Sequence, residues 1–135
     1  NTYRFFKLTA DVVGTASVNL QLRLNNDSAA NYDYTDVLNG AAGILTNAAA
    51  QILLGTLATL LRATTTIIIA KPVAAQQAMV SAQTSVGTAA NTPSVDDVAG
   101  TWRNTADLIT RIDLLTSAST YAANSRFVLE GNRTP

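Results

Sequence analysis

The sequence contains no cysteine and no histidine, and these two absences exclude several kinds of chemistry. Without thiols or imidazoles the chain cannot form disulfides, cysteine or histidine metal sites, cysteine nucleophiles or serine–histidine triads. Serine and threonine are abundant, but Lys7 and Lys71 are the only lysines and neither follows a Ser-x-x-Lys pattern. No glycine-rich phosphate loop is present. We therefore expect a protein that is not an enzyme and uses no cofactor.

Charge is also scarce, at 13% of the residues against about 25% in an average globular protein. Nine basic residues balance nine acidic ones, so we expect no general attraction to nucleic acid or to an anionic membrane. Apolar residues make up 47% of the chain, so little electrostatic repulsion opposes self-association. This composition favours a chain that packs against copies of itself or a partner, and a low-charge monomer is the alternative.

The clearest pattern is an alternation of apolar and polar residues with a period of two. In ASVNLQLRLN, residues 16–25, one face carries Val18, Leu20, Leu22 and Leu24, which is typical of a half-buried antiparallel strand. Similar runs between Gly, Pro and Asn breaks predict seven or eight short strands. We expect an all-β, antiparallel, jelly-roll-like β-sandwich forming a single domain over residues 1–135.

Other segments are predicted less sharply. LITRIDLLT (108–116) is expected to be a strand with Leu108, Ile112 and Leu114 inward, and TTTIIIA (64–70) a strand covered on both faces. Residues 74–87 fit either an Ala-rich helix or an edge strand. Residues 37–61 carry no charge and are long enough for a membrane helix. Their polar residues favour instead a long Ala/Gly-rich connection that leads into a strand near 51–57.

The segment NNDSAANYDYTD, residues 25–36, holds the only candidate metal ligands, Asp27, Asp33 and Asp36. Calcium prefers several converging oxygen ligands, but an EF-hand loop starting at Asn25 would place alanines at its fifth and sixth positions. Asn and Asp also bond their own backbone and tolerate left-handed conformations, so they favour turns. We therefore expect a turn at the end of a strand, with calcium as the alternative.

Aromatic residues are the candidate interface residues. Residues 1–8 are interpreted as an arm or edge strand exchanged between subunits, with Tyr3, Phe5 and Phe6 in contact. Tyr32 and Tyr34 lie two apart and share a face if the segment is extended, so they form either an interface platform or an ordinary cross-strand packing contact. Trp102, beside Arg103, is either an interface anchor or a core residue. Asp96 and Asp97 are neighbours that point to opposite sides of a strand, which argues against a catalytic pair.

Two segments together resemble small structural proteins of tailed bacteriophages. LRLNNDSAANYDY (22–34) is similar to their L-x-L-R-x-N-x-D-x-x-x-N-Y-x-Y stretch, and GTWRNTADLITRIDLLTSASTYAANSRFVLEGN (100–132) is similar to their C-terminal portion. The resemblance implies a jelly-roll-like sandwich on the virion, at the capsid surface or in the tail, commonly as a homotrimer.

Two functions follow as hypotheses. The first is a capsid decoration or cement protein whose partners are its own copies and the major capsid protein or other virion proteins. The second is a tail-fibre or receptor-binding module that recognises host surface glycan. An exposed cluster of aromatic rings would indicate the second, with candidates Trp102, Tyr32, Tyr34 and Tyr121.

Overall fold

The computed structural model describes residues 3–71, 75–87 and 92–133, and these ranges form ten β-strands and no helix. The prediction of an antiparallel β-sandwich is confirmed. The strands are β1 (Tyr3–Val13), β2 (Val18–Leu24), β3 (Tyr32–Leu38), β4 (Ile44–Ala49), β5 (Ile52–Leu57), β6 (Arg62–Ala70), β7 (Ala78–Val86), β8 (Ser94–Trp102), β9 (Ile112–Thr116) and β10 (Arg126–Arg133).

The strands form two sheets of unequal size. The large sheet has the order β10-β1-β6-β7-β8-β3-β4, and the small sheet has the order β5-β2-β9. One core contains buried apolar residues of both sheets, among them Leu20 and Ile67. The face of the large sheet that carries these buried residues is called the inner face here, and the opposite one the outer face.

Strand β2 follows its prediction. Val18, Leu20, Leu22 and Leu24 of β2 are all buried, and β7 alternates in the same way. The helix alternative for residues 74–87 is wrong where the structure describes them, and β7 is not an edge strand because β6 and β8 flank it. Strand β9 begins only at Ile112, so the inward position predicted for Leu108 is wrong; its side chain is 40% exposed.

The stretch predicted as one long connection contains two strands, β4 and β5. A strand near residues 51–57 is confirmed, whereas the long connection and the membrane-helix alternative are wrong. A bulge explains why the pattern was hidden: Leu20 pairs with Gly55 and Gln21 with Leu53, so the strand register shifts by one residue. No helix in the described ranges is long and apolar enough to cross a membrane.

Strands β1 and β6 lie inside the large sheet. Strand β1 pairs with β10 on one side and β6 on the other, so the prediction of an edge strand is wrong for residues 3–8, while residues 1 and 2 lie outside the described residues. An exchange between subunits stays a prediction. Strand β6 buries Ile67 and Ile69, but the side chain of Ile68 between them is 37% exposed. The prediction that β6 is covered on both faces is therefore wrong within one chain, because the small sheet covers only the inner face.

Candidate functional site

The loop between β2 and β3 is a turn built by asparagines. Asn25 and Asn26 have φ angles of 54° and 56°, in the left-handed region that Asn tolerates. Asn25 Oδ1 accepts hydrogen bonds from the backbone N–H groups of Thr110 (2.8 Å) and Arg111 (3.0 Å). Its Nδ2 donates to the Leu108 carbonyl at 2.7 Å. The segment therefore ends a strand, as predicted, and also fastens the chain that leads into β9.

Asp27 is the acceptor at the centre of this loop. Its Oδ1 accepts the Ala29 N–H at 3.0 Å, and its Oδ2 accepts Asn31 Nδ2 at 2.9 Å and Trp102 Nε1 at 2.7 Å. Burial alone would raise the pKa of Asp27, but these three hydrogen bonds outweigh it and hold the pKa below the usual 3.8. Both carboxylate oxygens thus already have protein donors.

Tyr32 and Trp102 are core residues, so their prediction as interface residues is wrong. They lie opposite each other in β3 and β8, and both side chains are fully buried. The Tyr32 hydroxyl accepts the Leu24 N–H at 2.9 Å and donates to the Leu24 carbonyl at 3.2 Å. Burial raises the pKa of Tyr32 to about 12. Of the two alternatives for Trp102, an interface anchor or a core residue, the structure supports the core residue.

Lys71, directly after β6, is a buried cation beside this pair. Its side chain is 2% exposed, Nζ lies 4.9 Å from the centroid of the Trp102 ring, and Nζ donates to the Asn104 carbonyl at 2.6 Å. Burial lowers the pKa of Lys71, while the nearby charge of Asp107 opposes that shift. The ring face and the carbonyl stabilise a cation that burial would otherwise disfavour. No local pattern around Lys71 indicates this contact.

The three calcium candidates do not converge. Asp33 Oδ1 accepts the Ala48 N–H at 2.8 Å and its Oδ2 lies 3.5 Å from Arg103 Nε. Asp36 lies three residues after Asp33 in β3 and therefore points to the opposite face of the sheet, because side chains alternate along a strand. No group of three or more acidic side chains suited to a metal ion occurs in the described ranges. Asp27 and Asp33 act instead as acceptors for neighbouring backbone and side-chain donors, whereas Asp36 Oδ1 is buried without a hydrogen-bond partner among the described residues.

Asp36 instead approaches Asp96, a pairing that the sequence did not reveal. The two residues lie diagonally across β3 and β8, because Asp36 is opposite Val98 and Leu38 is opposite Asp96. Asp96 is 5% exposed; burial first, then the charges of Asp36 and Asp97, raise its pKa to about 6. Its carboxyl lies against Gly55, where any side chain would collide with it. Asp97 points to the outer face, so Asp96 and Asp97 lie on opposite sides of β8, as predicted.

The remaining aromatic candidates are divided between the two faces of the sheet. Phe6, Tyr34 and Tyr121 pack against the core and are partly buried. Phe5 is 40% exposed and lies on the outer face, because it alternates with inward residues of β1. The side chain of Tyr3 lies outside the described residues. Only Phe5 of the aromatic interface candidates is therefore a large exposed ring in the described part of the chain.

The outer face of the large sheet is not covered by any strand of the described part of the chain. A shallow groove of about 570 Å³ crosses β6, β7, β8 and β3, and its outward side chains are mostly short or uncharged: Thr35, Val37, Thr66, Ile68, Ser81, Gln83, Asp97 and Ala99. A second depression of about 240 Å³ adjoins it and includes Met79, which is 57% exposed. Asp97 accepts a hydrogen bond from Gln83 Nε2 at 2.8 Å. Apart from Asp97, the outward side chains of the groove are uncharged, so a contact there dehydrates little charge.

The outward residues Ile68 and Met79 are the surface residues that sequence reasoning missed. The signal for Met79 was present, because its alternation with the buried Val80 placed it on the opposite face. Comparisons with protein-family models, with curated proteins and with solved structures found no significant match. The surfaces described above are therefore the basis for a functional proposal.

Proposed function

We propose that this chain is a non-enzymatic structural protein of a phage virion, most simply a decoration or cement protein that binds the capsid shell. In this role its copies pack against each other and against the shell, and the buried surface resists expansion of the head. The homotrimer implied by the resemblance is part of the proposal and is measured below by mass.

The observation that carries the proposal is the uncovered outer face. The seven-stranded sheet is covered by three strands on its inner side, while exposed apolar side chains such as Phe5, Ile68 and Met79 remain on the other. Burial of apolar area contributes about 25 cal/mol per Å², and an interface of standard size removes roughly 800 Å² per partner. Among the described residues that line the groove, Asp97 is the one charged outward side chain. Other charges of this face lie on β1, β10 and the start of β6, where Lys7 pairs with Glu130 and Arg62 with Asp11. The groove supports docking onto a shell, because few charges must be dehydrated there.

The alternative, a tail-fibre module that binds host glycan, depended on an exposed aromatic cluster. Trp102 and Tyr32 are buried, and Tyr34 and Tyr121 are packed against the core. Sugar stacking needs an accessible ring face, and these four rings do not form such a platform. We therefore argue the decoration role.

The test measures binding of the purified chain to empty heads of a phage whose genome encodes it, and to cell-wall fragments of the host. Ile68→Glu places a charge on the outer face and is expected to weaken head binding by at least about tenfold, since an unpaired charge would be dehydrated at the contact. Leu60→Glu, in the turn before β6, is the matched control because Leu60 is 71% exposed and lies off the groove. Binding to cell walls but not to heads would overturn the proposal.

A further inference from the structure

The last strand, β10, is an exposed and apolar edge of the large sheet. Within the described part of the chain it pairs only with β1, so its other side presents unpaired backbone donors and acceptors. Phe127, Val128 and Leu129 are 45%, 41% and 57% exposed. An apolar edge strand of this kind is a template for pairing with another strand.

The two edges of the sheet differ in how well they can pair. At the opposite edge, β4 carries a bulge: Tyr32 pairs with Ala49 and Tyr34 with Thr46, and Ala48 has a left-handed φ of 54°. Bulges of this kind prevent edge-to-edge pairing. Strand β10 carries no such bulge over its apolar part: its register with β1 shifts only between Tyr3 and Phe5, where β1 has the extra residue, and runs evenly from Phe5–Asn132 to Asp11–Arg126.

The sequence of β10 is complementary to itself when it is antiparallel. In such a dimer a two-fold axis runs normal to the sheet between the two β10 strands. Each residue then lies opposite a residue of the other copy whose side chain is on the same face, so neighbouring registers differ by two residues. In the register centred on Val128, Arg126 lies opposite Glu130 on both sides of the axis and Phe127 opposite Leu129. Registers centred on Phe127 or Leu129 set one of the two charges opposite Val128 and lose both ion pairs.

The neighbouring strand extends this charge complementarity. Lys7 lies opposite Glu130, with Nζ 3.6 Å from Oε2, and Asp11 lies opposite Arg126. Two rows of paired side chains therefore cross the dimer. In each row Lys7 and Glu130 of one copy are followed by Arg126 and Asp11 of the other. The signs alternate along both rows, and cross-strand pairs of opposite charge stabilise a sheet.

We propose that β10 is a homodimer edge, at which two copies join their large sheets into one continuous antiparallel sheet centred on Val128. This deepens the proposed function and rests on its self-association, since it names the contact between copies but not the contact with the shell. The contact joins two copies, so a trimer requires a different surface. The outer faces of both copies remain on the same side of the joined sheet and stay open.

Charge-reversed variants test the register. Arg126→Glu creates two Glu–Glu contacts, and Glu130→Arg creates two Arg–Arg contacts. For each variant alone we expect the dissociation constant of the dimer to rise by about tenfold or more. An equimolar mixture is expected to form heterodimers, because every cross-axis contact then joins opposite charges. Arg111→Glu changes the net charge equally outside β10 and should leave dimerisation unchanged. Sedimentation velocity over a concentration series measures each mass against the 14.1 kDa chain.

A single cysteine tests the centre of the contact, because the chain has none of its own. Val128→Cys lies opposite itself across the axis and is expected to give a disulfide-linked dimer under mild oxidation. Thr9→Cys is the control: it is exposed on β1 beside Val128, but two copies of it would be about 14 Å apart, beyond disulfide reach.

The outcomes separate this inference from the proposed function. A dimer that responds to the charge variants supports the inference. A trimer indifferent to them overturns it and leaves head binding to be judged independently. A monomer at all concentrations overturns both the inference and the self-association on which it rests. Loss of head binding in a chain that still dimerises through β10 leaves the inference intact and counts against the decoration role.

Discussion

Trp102 donates its indole N–H to Asp27 Oδ2 across 2.7 Å, joining two residues that are 75 positions apart in the sequence. Trp102 is fully buried at the end of β8. The indole N–H, the only donor of its side chain, must therefore find a partner inside the protein. Asp27 supplies it from the loop after β2 and receives two further hydrogen bonds there. The contact therefore fixes the loop against the core.

Asp27→Asn tests the importance of this contact. The amide group of asparagine has one acceptor oxygen, whereas Asp27 accepts at both oxygens, so either the Ala29 N–H or the Trp102 N–H loses its partner. We expect the free energy of unfolding to fall by about 1–3 kcal/mol, measured by urea titration, with a change in tryptophan fluorescence in the folded state. Asp97→Asn, on the exposed face, should change it by less than about 0.5 kcal/mol. Equal effects of the two variants would contradict the assignment.

Chelation tests the calcium alternative for Asp27, Asp33 and Asp36. Asp27 and Asp33 already accept hydrogen bonds from protein donors, and the three side chains do not converge. We expect EDTA and added calcium to leave the melting temperature within the error of the measurement. A marked decrease with EDTA that calcium reverses would restore a metal site at this loop.

Leu22→Asp tests the core face of β2. Leu22 is fully buried between the sheets, so an aspartate there would be a buried and unpaired charge. We expect a loss of at least about 4 kcal/mol, which is close to the whole stability of a small domain, seen as loss of cooperative unfolding. Leu45→Asp is the control because Leu45 is 63% exposed on β4. A soluble, cooperatively folded Leu22→Asp protein would be inconsistent with the core assignment.

The sequence predicted those parts of the fold that depend on local alternation. Strand β2 buries every second residue, and this pattern is visible without knowledge of its neighbours. Strand β7 alternates in the same way, but its Ala-rich sequence also fits a helix, and only the topology shows that it is not an edge strand. Strand β5 was harder, because the bulge at Gly55 shifts the register and spoils the period of two. The face on which Ile68 lies was predicted incorrectly because a run of β-branched residues shows no alternation, whether or not both faces are covered.

The contacts at the centre of the site could not be predicted from local patterns. The sequence does not decide between an interface and the core for Tyr32 and Trp102, because aromatic residues are frequent in both. Only the pairing of β3 with β8 places them opposite each other, and the same pairing brings Asp36 near Asp96. Such pairings between distant strands depend on the whole topology.

The buried carboxyl of Asp96 is expected to make the stability of the fold depend on pH. The carboxyl is buried against Gly55 on β5, which carries no charge there, and the acidic groups near it are Asp36 on β3 and Asp97 on its own strand. Burial also raises the pKa of Asp36. Both groups are therefore protonated more readily in the folded chain than in the unfolded one.

Because the folded pKa of Asp96, about 6, exceeds its usual 3.8, its contribution to stability is fully present below about pH 4 and is lost as the pH rises through 6. Asp96→Asn cannot ionise, so we expect a flatter profile and a gain at neutral pH on the order of 1–3 kcal/mol. Urea unfolding at several pH values between about 4 and 7 measures both effects. Asp97 lies on the outer face, so the Asp97→Asn variant should keep most of the change of the free energy of unfolding with pH. Parallel profiles for Asp96→Asn and the unchanged chain would show that the buried carboxyl does not govern this dependence.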